Sequence, residues 1–129
     1  MSDEPRLLVV DDDPVICFAC RRIFSDRGFE VEESTDAREG LKRATEQEYA
    51  GILLDIKMPG IDGIQFLEEL RKCKPALPVL IMTGYPSLST ATAAVELGAS
   101  GYITKPFTPA KVRQAVQDML SRREQKECT

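Results

Sequence analysis

The chain has no histidine, no second C-x-x-C, no long apolar run and no excess of positive charge, and each absence removes a class of function. Its four cysteines are Cys17, Cys20, Cys73 and Cys128. Cys17 and Cys20 form a C-x-x-C, but a zinc site needs further ligands that the sequence does not supply. Both lie in an apolar helical stretch, residues 15–24, where a thiol packs as a small hydrophobe. A redox C-x-x-C should open a helix after a strand, and Asp13-Pro14 already takes that position. No apolar run nears the roughly 20 residues that span a bilayer. The acidic start lacks the charged-then-apolar order of a secretory signal. A cytoplasmic protein without membrane contact is therefore expected. A formal net charge of −4 leaves no basic field for direct contact with nucleic acid. The one basic cluster, Arg122-Arg123 with Lys126, is broken by Glu124 and Glu127 and reads as a solvated helix end.

What is present fits one compact domain: 129 residues, 43% of them hydrophobic. The domain is expected over residues 1–121, with 122–129 a charged tail or the start of a linker. Short apolar runs alternate with helix-period segments. Residues 7–10, 52–54 and 79–82 are continuous runs, as parallel strands covered on both faces require. Residues 102–103 form a weaker one. In 29–33, Val31 sits between Glu30 and Glu32, the alternation of an edge strand with one wet face.

Five helical patterns lie between the strands. The first is capped by Asp13, has Pro14 in its first turn and ends at Gly28. The second covers about 36–47 with Ala37, Leu41 and Ala44 on one face. The third starts near Asp62 and presents Ile64, Leu67 and Leu70/Arg71 before Pro75. The fourth, about 86–97, is rich in Ser, Thr and Ala and closes at Gly98. The fifth carries Val112, Val116, Met119 and Leu120 inward. Five β-then-α units predict an α/β fold, a doubly wound parallel sheet with right-handed crossovers.

The strand ends carry the chemistry. The first stops at Asp11-Asp12-Asp13, the third at Asp55, the fourth at Thr83 and the fifth at Lys105. Ligands of open parallel sheets bind outside the carboxyl ends of the strands, where the winding reverses. One such Asp is usually a helix cap; four polar strand ends on one edge form a site. Two like charges about 4 Å apart repel by roughly 4 kcal/mol at an effective dielectric near 20. Asp11, Asp12 and Asp55 thus need cations, of which Lys105 is one. A hard divalent ion held by oxygens, magnesium or manganese, is the natural second. Such a site suits an anionic phosphoryl group.

Four segments then match a known family in order and spacing: Leu-Val-Val-Asp-Asp-Asp (8–13), Leu-Leu-Asp-Ile-Lys-Met-Pro-Gly-Ile-Asp-Gly (53–63), Ile-Met-Thr-Gly-Tyr (81–85) and Gly-Tyr-Ile-Thr-Lys-Pro-Phe (101–107). Over residues 6–120 the chain resembles the receiver domain of bacterial response regulators. The resemblance implies a flavodoxin-like, five-stranded sheet of order 2-1-3-4-5 with five helices. It implies that Asp55 accepts a phosphoryl group from a sensor histidine kinase or a phosphotransfer protein. Asp12 would bind magnesium directly, Asp11 mainly through water, and the Lys57 backbone carbonyl would add a ligand. Thr83 and Lys105 would hold phosphoryl oxygens, and the Lys105–Pro106 bond would be cis. Tyr102 matches the aromatic switch residue, while Lys57 and Tyr85 flank the path of water to the phosphorus and would tune dephosphorylation. The face built from the fourth helix, fifth strand and fifth helix would meet an output domain or partner protein, with dimerisation on phosphorylation as one outcome. On this reading the domain is not an enzyme beyond its own phosphoryl transfer and slow self-dephosphorylation.

One enzyme alternative competes. A phosphatase similar to the haloacid dehalogenase superfamily would use Asp11 as nucleophile, with Asp13, Thr83 and Lys105 in support. The acidic metal motif expected after the lysine is absent, as is room for a cap domain.

Overall fold

The computed structural model of the protein describes residues 4–128, with side chains described through residue 121. Ten elements alternate along it: β1 (Arg6–Val10), α1 (Pro14–Ser25), β2 (Glu30–Ser34), α2 (Ala37–Glu46), β3 (Gly51–Asp55), α3 (Gly63–Cys73), β4 (Val79–Thr83), α4 (Leu88–Glu96), β5 (Gly101–Thr104) and α5 (Pro109–Cys128). The strands form one sheet in the order β2-β1-β3-β4-β5, and every neighbouring pair is parallel. Fold class and strand order are those expected. The α5 backbone crosses the boundary anticipated at residue 121, while the charged side chains of 122–128 and residue 129 lie outside the described residues.

Two apolar layers explain the continuous runs. Along each inner strand, side chains alternate between faces. Leu8, Val10, Ile52, Leu54, Val79 and Ile81 join Phe66, Leu67, Leu70 and Ala94 under α2, α3 and α4. Leu7, Val9, Leu53, Leu80, Met82 and Ile103 join Cys17, Cys20, Phe24, Val112, Val116 and Met119 under α1 and α5. Fully burying each such Leu or Ile contributes about 1.5–3 kcal/mol. Cys17 and Cys20 are wholly buried and unbonded to each other, and burial pushes their thiols up to about 11 and 12. Neither is a thiolate at neutral pH, in line with their packing role.

Local chemistry starts and stops the helices. Asp13 accepts from the Val15 N–H with Pro14 following, Asp36 accepts from Arg38 and Glu39, and Asp62 and Gln65 form a reciprocal capping box. Three expectations are corrected. α1 ends at Ser25, before Gly28, which instead supplies the positive φ of the turn into β2. α4 starts at Leu88, because Ser87 caps it. In α3 the residues fully enclosed are Phe66, Leu67 and Leu70, whereas Ile64 is only partly covered. The edge strand β2 pairs with β1 alone. Its carboxylates are paired on both faces: Glu32 receives Arg6, Arg43 and the Tyr49 hydroxyl, and Glu33, on the Val31 face, receives Arg21.

Candidate functional site

Strand register assembles the site. Val10 lies opposite Leu54, so Asp11, one residue on, arrives beside Asp55. Asp55 lies opposite Met82, and Thr83 opposite Thr104, so Thr83 and Lys105 each project one step further out. The Lys105 N–H donates to the Thr83 carbonyl at 2.7 Å, which continues the ladder past β5. This is the carboxyl edge where the chain order reverses on either side of β1. Carboxylate oxygens of Asp11, Asp12 and Asp55 lie within 4.8 Å of one another, a group that could hold a metal ion. The donors are all hard oxygens, which fits a cation such as magnesium better than a soft metal.

The three acids are not equivalent. Asp11 is fully buried and engaged at both oxygens: Oδ1 accepts from the Asp13 N–H at 2.9 Å and Oδ2 from Lys105 Nζ at 2.6 Å. Asp12 is exposed. Asp55 is 5% exposed, and Lys105 Nζ reaches its Oδ1 at 3.4 Å. Burial, then the charge of Asp11, pushes Asp55 up to about 6, against the pull of Lys105. Burial acts to lower Lys105, but its hydrogen bond to Asp11 and the charges of Asp11 and Asp55 hold it above the ordinary lysine value. Lys105 is therefore a fixed cation. The Lys105–Pro106 peptide is cis.

Thr83 is fully buried, and its Oγ1 accepts from the Tyr85 N–H at 3.0 Å. That turn leaves the hydroxyl proton available to an acceptor at the sheet edge. Lys57 and Tyr85 are exposed, and Lys57 Nζ lies 5.1 Å from the centre of the Tyr85 ring. Sequence reading set them separately beside the site; in the fold they touch each other. Tyr102 packs against the layer under α4, and its buried hydroxyl has no hydrogen-bond partner among the described residues.

Two contributors escaped the sequence reading. Gly63 opens α3 directly on the backbone at the end of β3: a Cβ there would lie 2.5 Å from the Asp55 carbonyl oxygen. Only glycine allows this approach, and the Gly63 N–H uses it to donate to the Ile56 carbonyl at 2.8 Å. The Cys17 thiol donates to the Asp11 carbonyl at 3.3 Å and so braces the first acidic loop from below. A glycine after Asp62 was visible as a motif letter, but the contact that requires it belongs to tertiary packing.

Comparisons with known proteins agree with this geometry. The family described as response regulator receiver domain matches residues 7–117. The transcriptional regulatory protein PrrA of Mycobacterium tuberculosis is 38% identical over 119 residues, which is 92% of this chain and 51% of that protein. The transcriptional regulatory protein ZraR of Escherichia coli K12 is also 38% identical over 119 residues, but only 27% of its length is covered. The chain thus spans about half, or less, of these curated relatives. Among solved structures, a CheY-like receiver domain from Methanospirillum hungatei superposes with a TM-score of 0.92 at 32% identity, covering 96% of this chain and 99% of the other. NtrX from Brucella abortus matches with a TM-score of 0.87 at 31% identity, over 98% of this chain and 29% of its own. None of this supports the phosphatase alternative, and the full engagement of Asp11 leaves it a poor nucleophile. The chain belongs to the response regulator receiver domain family, the signalling module of two-component systems.

Proposed function

We propose that Asp55 is the phosphoacceptor of this receiver. An Asp55 carboxylate oxygen attacks the phosphorus of a donor phosphohistidine. The new P–O bond forms as the donor P–N bond breaks, and the leaving imidazole takes a proton from solvent. A carboxyl near pKa 6 is about 90% ionised at pH 7, so the nucleophile is ready without a separate base. Lys105 holds positive charge where the phosphoryl oxygens arrive, and the Thr83 hydroxyl donates to one of them. Asp11, Asp12, Asp55 and the Lys57 carbonyl would hold a magnesium ion, or manganese, which supplies charge to offset the phosphoryl oxygens. Positioning and charge neutralisation are what phosphoryl transfer needs. The observation that carries the reading is one buried carboxylate, Asp55, beside two further acids and a lysine fixed above its ordinary pKa.

The signal leaves through α4, β5 and α5. Extra contacts to Thr83 and Lys105 favour one of two conformations, with Tyr102 following Thr83. The unpartnered Tyr102 hydroxyl supports such a role, because a side chain without a fixed hydrogen bond repositions at little cost. A sensor histidine kinase or phosphotransfer protein is the upstream partner in the cytoplasm. An output domain or protein is the downstream one, with residues 1–121 as the receiver unit and 122–129 as a charged tail or the start of a linker. Relatives named as transcriptional regulators support this, with nucleic acid contacted by the output and not by this unit. Dimerisation through the same face, and the absence of turnover on other substrates, belong to the proposal.

Intact mass spectrometry tests it. Acetyl phosphate or phosphoramidate with magnesium should add one phosphoryl group to wild type and none to Asp55→Asn. Undiminished labelling of Asp55→Asn ends the proposal. A beryllofluoride complex should shift NMR signals from Thr83 to Tyr102, and shifts confined to the loops around Asp12 and Asp55 would defeat the coupling.

A further inference from the structure

α4 is held unequally at its two ends. Ala94 is its one fully buried residue, and Leu88 and Val95 are 84% and 72% exposed. Packing alone does little to fix it. Its C-terminal end closes tightly: Gly98, at φ +77°, lets its N–H reach the Val95 carbonyl and the Ala99 N–H reach the Ala94 carbonyl. The carbonyls of Leu97 and Gly98 remain, and α4 has no basic residue in its last turn to take them.

Arg71, from the last turn of α3, takes both. Its Nε donates to the Leu97 carbonyl at 2.7 Å and its Nη2 to the Gly98 carbonyl at 3.0 Å. Nη1 turns the other way, to the carbonyls of Lys74 at 2.9 Å and Leu77 at 2.8 Å. One planar guanidinium thus ties the end of α3, the approach to β4 and the end of α4, a fork that a lysine ammonium cannot reproduce. Burial lowers its pKa, yet an arginine stays charged, so the tie does not come undone at any ordinary pH.

The opposite end has no such tie. Residues 84–89 are all exposed. Ser87 caps the helix through the Thr90 N–H and meets only the hydroxyls of Ser89 and Thr90. Among the described residues, no hydrogen bond joins 86–92 to another element. This untied end is the one that follows Thr83 directly.

We propose that Arg71 is the pivot of α4: it pins the C-terminal turn, so that the helix opens and reorients from its Ser87 end, beside Thr83. This goes beyond the phosphoacceptor reading and stands without it. A displacement at Thr83 then swings the near end of α4 while residues 97–99 stay in place, which gives the helix one direction of motion.

Amide hydrogen exchange on the intact chain, with no metal or phosphodonor, tests the pivot. In wild type, amides of 97–99 should exchange at least about 30-fold more slowly than those of 90–91, since local opening follows local anchoring. In Arg71→Gln, exchange at 97–99 should rise at least about 10-fold, with 90–91 and the strand amides of β3 and β4 little changed. Arg71→Lys, with one ammonium for four carbonyls, should fall between. A merely structural arginine would loosen the whole domain together. The pivot is overturned by equal protection at both ends of α4 in wild type. It is also overturned by unchanged exchange at 97–99 in Arg71→Gln or, should that variant not fold, in Arg71→Lys.

Discussion

Lys105 sits closer to Asp11 than to Asp55, 2.6 Å from Asp11 Oδ2 and 3.4 Å from Asp55 Oδ1. The amine neutralises the acid that lies deeper and leaves the Asp55 carboxyl only partly compensated. Burial, then the charge of Asp11, raises the pKa of Asp55, and Lys105 offsets only part of that rise.

Removing the amine should expose the repulsion. Lys105→Met leaves two buried carboxylates without their shared cation, and a broken buried pair costs about 3–5 kcal/mol. The loss should appear at pH 7 in metal-free buffer and shrink at pH 5, where Asp55 takes a proton. Urea unfolding at the two pH values reads it, and an equal loss at both contradicts the assignment.

Asp55 itself should limit stability near neutral pH. Its folded-state pKa, about 6, lies above the ordinary 3.8, so the folded chain holds this proton more tightly than the unfolded chain. The resulting stabilisation is complete below about pH 4 and is lost as pH rises through about 6. Asp55→Asn removes the ionisable group. Its unfolding free energy relative to wild type should climb between pH 4 and 7 and then level off, over a span of at most about 3 kcal/mol. A flat difference across that window, measured without divalent cations, refutes the raised pKa.

Asp12 is exposed, so its loss should separate metal binding from folding. Asp12→Ala should change stability by no more than about 0.5 kcal/mol. Magnesium affinity should fall at least about tenfold, since a small ion that keeps several waters depends on one or two carboxylates. Calorimetric or NMR titration decides, and wild-type affinity in the variant removes Asp12 from the ligand set.

Lys57 and Tyr85 should act on phosphoryl lifetime as a pair. The ammonium lies over the ring, a contact worth about 0.5–1 kcal/mol at an exposed site. Neither side chain is a carboxylate or amide that orients water, and Tyr85 can shield the phosphorus. Phosphate release should therefore quicken in Lys57→Asn and in Tyr85→Glu. The double variant should fall short of the product of the two effects, because either change already breaks the stack. Release from the double variant no faster than from wild type defeats the shielding idea.

Sequence patterns with a short physical range were legible. The continuous runs at 52–54 and 79–82 marked strands buried on both faces because apolar side chains there have no other stable position. Asp13, Asp36 and Asp62 marked helix starts because a cap bonds within three residues of itself. The polar ends at Asp11, Asp55, Thr83 and Lys105 marked one edge of the sheet because parallel strands all point the same way. The sequence alone places the stop of α1 at Gly28, three residues late, because a glycine that ends a helix and one that turns into a strand both take positive φ.

By itself, then, the sequence determined the elements, their parallel direction and the polar groups that end the strands, since each depends on periodicity or on neighbours a few residues apart. Only the tertiary structure decided how those groups divide their partners. Lys105 favours Asp11 across 94 residues of chain, Lys57 meets Tyr85 from a different loop, and Arg71 caps a helix 26 residues away. Such pairings have no local signature. They arise when burial strips water from a charge or a carbonyl and the nearest group able to replace that water belongs to another element.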